Sequence, residues 1–183
     1  FFKTNTIDIL VNNTQGPSAG NTVEKNIEDY QKAFDLLFKT TVFTTELALK
    51  NMIKNKWGRI INVASVSVKE PIAYLALSNT IRAAVVTWGK SLATDVGPYT
   101  ITVNSILTGY FDTDRITQLN ATKAEQLNIS EAEVRNQMES KVSLNRIGKP
   151  EEYGYLVAFL ASNNAAYITG TAIPIDGGLL KSI

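Results

Sequence analysis

Polar residues that could bind a ligand or take part in catalysis follow three apolar runs of the sequence. They lie at residues 12–16, 64–68 and 108–113. The apolar runs are typical of buried strands. In an open parallel sheet the carboxyl ends of the strands meet at one edge, and ligands bind outside that edge. We therefore expect the three polar segments to lie together and to form a binding site for a small molecule.

The acid–base groups available to such a site are limited, because the 183 residues contain no His and no Cys. This composition excludes a Ser-His-Asp triad, a thiol nucleophile, disulfides and the usual His- or Cys-based metal sites. We expect no metal centre. Any proton transfer must use Tyr, Lys, Asp, Glu, Ser or water.

Charge and hydropathy also restrict the partners. The chain has 18 Lys+Arg against 17 Asp+Glu, a net charge of +1, which gives no electrostatic case for binding nucleic acid or a membrane surface. It has no apolar run near 18 residues, so we expect no membrane-spanning segment. A 44% apolar composition fits one globular domain with a sizeable core.

Strand and helix patterns alternate along the chain, which predicts an α/β fold built on an open, doubly wound parallel sheet. The pattern leaves open whether residues 27–52 form one helix or two with a kink at Thr40-Thr41. Pro174 lacks a backbone donor and places the last strand at a sheet edge. The predicted strands are 7–11, 60–64, 101–107 and 171–175. The predicted helices are 27–52, 81–96 and one starting at Pro150. Residues 108–143 are predicted to form a substrate-covering lid, with helical patches near 114–127 and 130–140.

The start of the sequence carries a separate expectation. The run Ile7–Val11 looks like a strand buried on both faces, as in the interior of a parallel sheet. The chain begins Phe1-Phe2-Lys3, not with Met, and nothing before the run supplies a neighbouring strand. We therefore expect that the sequence begins inside a longer polypeptide.

Five motifs in order along the chain resemble those of the short-chain dehydrogenases/reductases. They are Asp8–Gly16, Gly58–Ser65, Ile101–Thr113, Arg146–Glu152 and Ile175–Gly178. The resemblance implies a Rossmann-type sheet, of which these residues are the C-terminal two thirds. Residues 1–183 would form a single NAD(P)-binding domain that lacks its N-terminal strands and its glycine-rich turn.

The same resemblance implies an activity. It is the transfer of hydride between NAD or NADP and a carbonyl or secondary alcohol, as in the 3-oxoacyl-carrier-protein reductases. The residue that selects NAD or NADP would lie in the preceding segment. The resemblance also implies a cytoplasmic homodimer or homotetramer, built on the helices near residues 28–55 and 78–96. The alternative is a catalytically impaired pseudoenzyme that binds a dinucleotide, or acts as an interaction protein.

The expected catalytic residues depart from the family's pattern. Ser65 matches the serine that orients the carbonyl, but the family's tyrosine and lysine are replaced by Ser78 and Arg82. Arg82 can still hold a ribose, whereas an alcohol is too weak an acid to replace a phenol. Tyr74 is a candidate substitute, one helical turn before Ser78 if the helix extends so far. In another interpretation, Ser78-Asn79 only caps a helix.

The cofactor contacts implied by the resemblance come from the three strand ends. In the third segment Thr108 stands where the family usually has Pro. In the first, Thr14-Gln15 stands where it has Ala-Gly. The family's upstream catalytic Asn falls near Leu37. The implied cofactor-binding residues are Asn12, Asn13, Thr14, Val63, Arg82, Thr108, Gly109, Phe111 and Thr113.

Overall fold

Four parallel strands form one sheet in the computed structural model, which describes residues 5–182 apart from the side chain of Arg115. The predicted α/β architecture is confirmed, and so is the edge position of the last strand. Pro174 there lies opposite Leu107 of its single neighbour. In sheet order the strands are β1 (Ile9–Asn12), β2 (Gly58–Val63), β3 (Ile101–Thr108) and β4 (Ala172–Ile175).

The register aligns the carboxyl ends of these strands. Asn12 lies opposite Asn62, and Thr108 lies opposite Ile175. Because the strands are parallel and end in register, the polar segments that follow β1, β2 and β3 leave the sheet along one edge. The sheet geometry therefore brings together the three segments identified in the sequence.

Six α-helices flank the sheet in the part of the chain that the structure describes. The first two are joined by a π-helical turn over Phe34–Lys39, so residues 27–55 form one continuous helical segment whose irregular turn ends just before Thr40. The third helix begins five residues earlier than Ile81. Their bounds are α1 (Ile27–Ala33), α2 (Thr40–Asn55), α3 (Ala76–Val96), α4 (Asp114–Leu127), α5 (Glu131–Glu139) and α6 (Pro150–Ala161).

Helices cover both faces of the sheet. On one face, Met52 of α2 and Ala93 of α3 pack with Ile60 and Val103 of the central strands. On the other face, Leu160 of α6 packs against Ile61 and Ile106. The alternation of side chains along β2 and β3 supplies apolar residues to both layers, which is the arrangement expected of a doubly wound sheet.

The prediction that the first strand is buried on both faces is wrong for the described residues. Ile9 is 46% exposed and Val11 is 40% exposed. Among residues 5–182, β1 pairs with β2 alone. Ile9 and Val11 share the face of Ile61, but they are not part of the cluster that α6 forms there. The opening residues Phe1–Lys3 lie outside the described part of the chain.

Two helices, α4 and α5, follow β3 in the region that the sequence predicts to be a lid. Arg135 of α5 holds Asp112 with Nη1 and Nη2, at 3.1 and 3.2 Å, and donates from Nε to Glu139 at 3.0 Å. These bonds fix α5 against the segment that leaves β3. Within residues 5–182, no helix is both long enough and apolar enough to cross a membrane.

Candidate active site

Ser65 stands directly beyond β2 and begins a short 3₁₀ turn over Val66–Val68. Its hydroxyl oxygen accepts the backbone N–H of Ser67 at 3.1 Å, which caps the turn and fixes the side chain. The hydroxyl hydrogen is not used in that bond. Ser65 can therefore cap the backbone and still donate to a ligand.

A cavity of about 400 Å³ opens beside Ser65 at the carboxyl edge of the sheet. Thr108 and Gly109 contribute to its wall at the end of β3, and α4 closes the opposite side. Because most of its lining is apolar, the cavity suits a substrate with an aliphatic portion. The apolar part of the lining includes Val66, Ile72, Leu75, Ile116, Leu119, Leu127 and Met138.

Tyr74 lines the same cavity as Ser65, but it does not belong to a helix. Helix α3 begins two residues later, and Tyr74 has a φ of 69°, in the left-handed region that residues with a side chain rarely adopt. Its backbone carbonyl accepts from Gly20 at 2.8 Å, and its phenolic oxygen accepts from Gln126 of α4 at 2.9 Å. Tyr74 thus connects the segment before α3 to the lid.

Ser78 does not line this cavity, and the helix-cap interpretation of Ser78-Asn79 is wrong. The N-cap of α3 is Leu75, so Ser78 is the third residue inside the helix. The Asn79 side chain instead donates to the carbonyl of Ile72 at 2.9 Å. The helix starts earlier than its apolar periodicity indicates, which moves both residues from the cap into the first turn.

Arg82, one turn further along α3, reaches the end of β2. Its Nη1 donates to the carbonyl oxygen of Val63 at 2.6 Å. Burial lowers the pKa of the guanidinium, and the nearby phenol of Tyr153 opposes that shift. Among residues 5–182, no carboxylate pairs with Arg82, and its Nε and Nη2 make no hydrogen bond. Arg82 therefore has donors available for a ligand.

The segment after β3 is held from two sides. Gly109 donates its N–H to the carbonyl of Ile175 at 3.0 Å, and Gly148 bonds to both Tyr110 and Asp112 through the backbone. Phe111 is buried and packs edge-on against Tyr153, with ring centroids 5.3 Å apart. The site is therefore preorganised, with Thr108 and Gly109 on the cavity wall and Phe111 in the core beneath.

The first polar segment divides into a buried and an exposed part. Asn12 donates from Nδ2 to Thr45 at 3.0 Å and to Asn62 at 2.9 Å, and accepts from Thr44 at 2.8 Å. Its side chain is thus used in joining β1 to β2 and α2, which leaves the backbone for contact with a ligand. Asn13 is exposed and Thr14 is half-buried. Thr113, at the end of the third segment, is exposed.

Tyr153 of α6 is not among the site residues expected from the sequence, but the structure connects it to the cavity wall through Thr108. Its phenolic oxygen accepts from Thr108 Oγ1 at 3.1 Å. Burial raises the pKa of the phenol, while the Thr108 bond and the charge of Arg82 act in the opposite direction. No local sequence signal places Tyr153 here, because it lies 45 residues from Thr108 in the chain. Its helix α6 also packs on the face of the sheet opposite to α3.

The fold and the position of the cavity define the class of protein. A parallel α/β sheet with a ligand pocket at its carboxyl edge is an architecture of dinucleotide-binding proteins. A model of the enoyl-(acyl carrier protein) reductase family matches residues 2–180. The chain belongs to the short-chain dehydrogenase/reductase family, in the branch of the 3-oxoacyl-carrier-protein reductases, and is an NAD(P)-dependent oxidoreductase.

Curated relatives and solved structures support this assignment. The NADPH-dependent reductase BacG of Bacillus subtilis is 34% identical over 177 residues, which are 97% of this chain and 68% of BacG. The 3-oxoacyl-[acyl-carrier-protein] reductase FabG of Rickettsia prowazekii is 33% identical over 178 residues, 97% of this chain and 69% of that protein. This chain thus spans about two thirds of the length of these relatives.

Two solved structures have the same fold. The NADPH-dependent reductase YwfH of bacilysin biosynthesis superposes with a TM-score of 0.93 at 32% identity, covering 99% of this chain and 70% of that one. The L-sorbose reductase of Gluconobacter frateurii, solved with NADPH and L-sorbose, has a TM-score of 0.91 at 28% identity, covering 97% and 68%.

The residues present fit the nicotinamide part of the family's cofactor. A ribose presents hydroxyl oxygens, and Arg82 offers N–H donors that the described residues do not use. The guanidinium is held at the strand edge by its bond to Val63, where the segments after β1, β2 and β3 converge. The donor chemistry of this edge is therefore suited to a nicotinamide ribose.

Proposed function

We propose that this protein reduces a 3-oxoacyl thioester, or a similar carbonyl compound, with NADPH as the cofactor. The observation that carries the proposal is the largely apolar 400 Å³ cavity that joins the Ser65 hydroxyl to the end of β3. Such a cavity accommodates an acyl chain and brings its carbonyl to the edge where a nicotinamide binds. The dependence of BacG on NADPH supports that choice of cofactor.

When bound, the cofactor supplies a hydride to the carbonyl carbon. Ser65 donates its hydroxyl hydrogen to the carbonyl oxygen, and the Ser67 N–H keeps the side chain in position. This bond strengthens as negative charge develops on the oxygen. The proton that completes the alcohol comes from a hydroxyl in or beside the cavity, with Tyr74 and Ser78 as the sequence candidates, or from water.

Cofactor binding is assigned to the three strand ends. Arg82 holds the ribose hydroxyls, and the backbone of Asn12, Asn13 and Thr14 approaches the cofactor beside β1. The nicotinamide lies against Val63 and the segment after β3, with Thr108, Gly109, Phe111 and Thr113. The common edge formed by these strand ends supports the assignment. We assign residues 1–183 to one dinucleotide-binding domain.

We further propose that the protein is a cytoplasmic homodimer or homotetramer. The helical segment over residues 27–55 exposes five large apolar side chains, and exposed apolar patches mark protein–protein contacts. A second copy would cover them. Light scattering coupled to size-exclusion chromatography tests the oligomeric state, and cell fractionation tests the location. The five side chains are Ile27, Phe34, Leu36, Phe43 and Ile53.

A titration followed by a turnover assay tests the function. Protein fluorescence is measured against NADPH and NADH, and the oxidation of NADPH is then followed with acetoacetyl-CoA and longer 3-oxoacyl thioesters. Saturable binding with substrate-dependent oxidation supports the proposal. Binding without turnover would instead support the dinucleotide-binding pseudoenzyme, which the replacement of the family's tyrosine and lysine by Ser78 and Arg82 favours.

A further inference from the structure

Tyr153 is a phenol behind the cavity wall, linked to that wall by a hydrogen bond from Thr108. Thr108 is a residue of the cavity wall, and its hydroxyl donates to the Tyr153 oxygen at 3.1 Å. The pair therefore connects the Tyr153 phenol, behind β3, to a residue that lines the space where the proposed substrate lies.

The surroundings of Tyr153 hold its phenol in place. Its ring packs edge-on against Phe111, and its helix is anchored by Leu160 in the core below the sheet. Arg82 is the charged side chain whose field acts on the phenol, and Thr108 is its hydrogen-bond partner. Among the described residues, no carboxylate neutralises Arg82. A phenolate formed at Tyr153 would therefore face an unpaired cation.

We propose that Thr108 and Tyr153 form the proton path of the carbonyl reduction, in place of the phenol that is absent at position 78. The proposal rests on the proposed function, since it requires a carbonyl to be reduced in this cavity. Thr108 is the group that touches the substrate oxygen. Tyr153 acts through Thr108, as the acid that replaces the proton Thr108 gives up.

The carbonyl carbon gains a hydride from the reduced nicotinamide, which is thereby oxidised, and the C=O π pair moves to the oxygen. That oxygen takes the proton of Thr108 Oγ1, so the Oγ1–H bond breaks as the O–H bond of the alcohol forms. Oγ1 in turn takes the proton of the Tyr153 phenol, whose O–H bond breaks. The phenolate left beside Arg82 regains a proton from water. Because each hydroxyl both donates and accepts, the direction of the bond reverses without movement of heavy atoms.

The chemistry explains why both residues are needed. An aliphatic alcohol alone is too weak an acid to protonate an alkoxide efficiently near neutral pH. A phenol has an ordinary pKa of about 10, and it stays protonated here because burial raises that pKa further. The attraction of Arg82 for the phenolate lowers the cost of removing the proton when the substrate oxygen demands it.

Removal of either hydroxyl tests the path. Tyr153→Phe keeps the ring and its contact with Phe111, and Thr108→Val keeps the shape of the threonine. We expect each to lower kcat with acetoacetyl-CoA by about 10²-fold, and Tyr153→Phe to leave the dissociation constant for NADPH within about twofold. The double variant should lose no more than either single one, because the two groups act as a unit. Thr108→Ser should retain activity.

Tyr155→Phe is the matched control. Tyr155 lies on the same helix, is 73% exposed, and makes no contact with Thr108 or Arg82 within the described structure, so its loss should leave kcat unchanged. A solvent deuterium isotope effect with a two-proton inventory is expected for the wild type. A one-proton inventory together with full activity of Tyr153→Phe would overturn the path.

A measurement on the cofactor-free protein tests the pair independently of turnover. The ultraviolet titration of tyrosinate, taken as the difference between the wild type and Tyr153→Phe, reports the pKa of this phenol. We expect a value above that of a free phenol, raised further in Arg82→Met. An unchanged value in Arg82→Met would overturn the role of Arg82.

The turnover assay distinguishes a failure of the path from a failure of the proposed function. If the wild type oxidises NADPH but Tyr153→Phe is equally active, the path alone fails. If the wild type is inactive with every 3-oxoacyl thioester, the proposed function fails.

Discussion

Arg82 Nη1 donates to the carbonyl oxygen of Val63 across 2.6 Å, which ties helix α3 to the last residue of strand β2. The bond holds the guanidinium at the carboxyl edge of the sheet, while the apolar face of α3 packs below it. A position usually filled by lysine is thus filled by a cation that is fixed to the backbone, with planar geometry and spare donors.

Replacement of Arg82 should weaken cofactor binding. Arg82→Met removes the hydrogen bonds that we propose Arg82 makes to the ribose, and the loss of charged hydrogen bonds predicts a dissociation constant for NADPH about 10- to 100-fold higher. The measurement is the fluorescence titration. Lys90→Met is the control, because Lys90 is an exposed cation two turns along the same helix. If both variants raised the dissociation constant for NADPH equally, the weaker binding would come only from the loss of a positive charge.

Restoration of the family's pair should raise the rate. Ser78 and Arg82 are four residues apart on α3, so Ser78→Tyr with Arg82→Lys places a phenol and an ammonium on one helix face. The ammonium lowers the pKa of the phenol and favours proton transfer. We expect kcat with acetoacetyl-CoA to increase at least about 10-fold, and the pair to restore activity to Tyr153→Phe. No gain in either background would show that the new phenol cannot reach the cavity from its place in the first turn.

The contact between Tyr74 and Gln126 should control retention of the substrate. The phenolic oxygen accepts from Gln126 at 2.9 Å, and both residues line the cavity. Loss of one exposed hydrogen bond costs about 1 kcal/mol, so Tyr74→Phe and Gln126→Ala should each raise KM about fivefold, and their effects should not add. Gln118→Ala, an exposed change on the same helix, is the control. If Tyr74→Phe instead slowed turnover by about 100-fold, that result would support Tyr74 as the substitute acid.

Gly109 should not tolerate a side chain. A Cβ at this position would lie 2.6 Å from the Cα of Asp176, a backbone atom that cannot move aside cheaply. Gly109→Ala should therefore displace the segment after β3 and lower NADPH affinity about 10-fold or more, with a stability loss of about 1–3 kcal/mol. The comparison is Gly154→Ala, since a Cβ there meets nothing within 4 Å and α6 would gain about 1 kcal/mol in helix propensity. Thermal unfolding should shift in opposite directions for the two variants.

The bond between Arg146 and Glu152 gives the stability a pH dependence. Arg146 donates from Nη1 and Nη2 to the two carboxylate oxygens at 2.8 and 2.6 Å, and lowers the pKa of Glu152 from 4.5 to about 2. Because the pKa is depressed in the folded protein, the contribution is complete above pH 4.5 and is lost as the pH falls to about 2. This carboxylate also accepts the Lys149 N–H at 2.7 Å.

The measurement is thermal unfolding of the wild type and of Glu152→Gln between pH 7 and pH 2. Its Tm should lie below that of the wild type at pH 7, and the difference should vanish near pH 2. Glu151→Gln removes the same charge from the same helix turn and makes no ion pair among the described residues, so its difference should be smaller and flatter with pH. A constant Tm difference for Glu152→Gln from pH 7 to pH 2 would contradict the assignment.

The elements of the fold were predictable because they are encoded over short distances. The alternation of apolar strands with amphipathic helices indicates the sheet, Pro150 marks the start of α6, and Pro174 identifies an edge strand. These signals act within one element, where the period of the backbone decides which side chains are buried. The convergence of the three polar segments followed from the same rule, since parallel strands end at a common edge.

Which residues form the site could be determined only from the tertiary structure. Whether Ser78 or Tyr74 lines the cavity depends on where α3 begins, and its first turn lacks the capping side chain that would have marked the boundary. The sequence by itself determined the family, the sheet edge at which the three polar segments meet, and the loss of the usual tyrosine and lysine. Only the packing of α6 on the opposite face of the sheet from α3 decided that Tyr153 bonds to Thr108 and lies within the electrostatic influence of Arg82. Relations between residues so distant in the chain depend on strand register and helix position together.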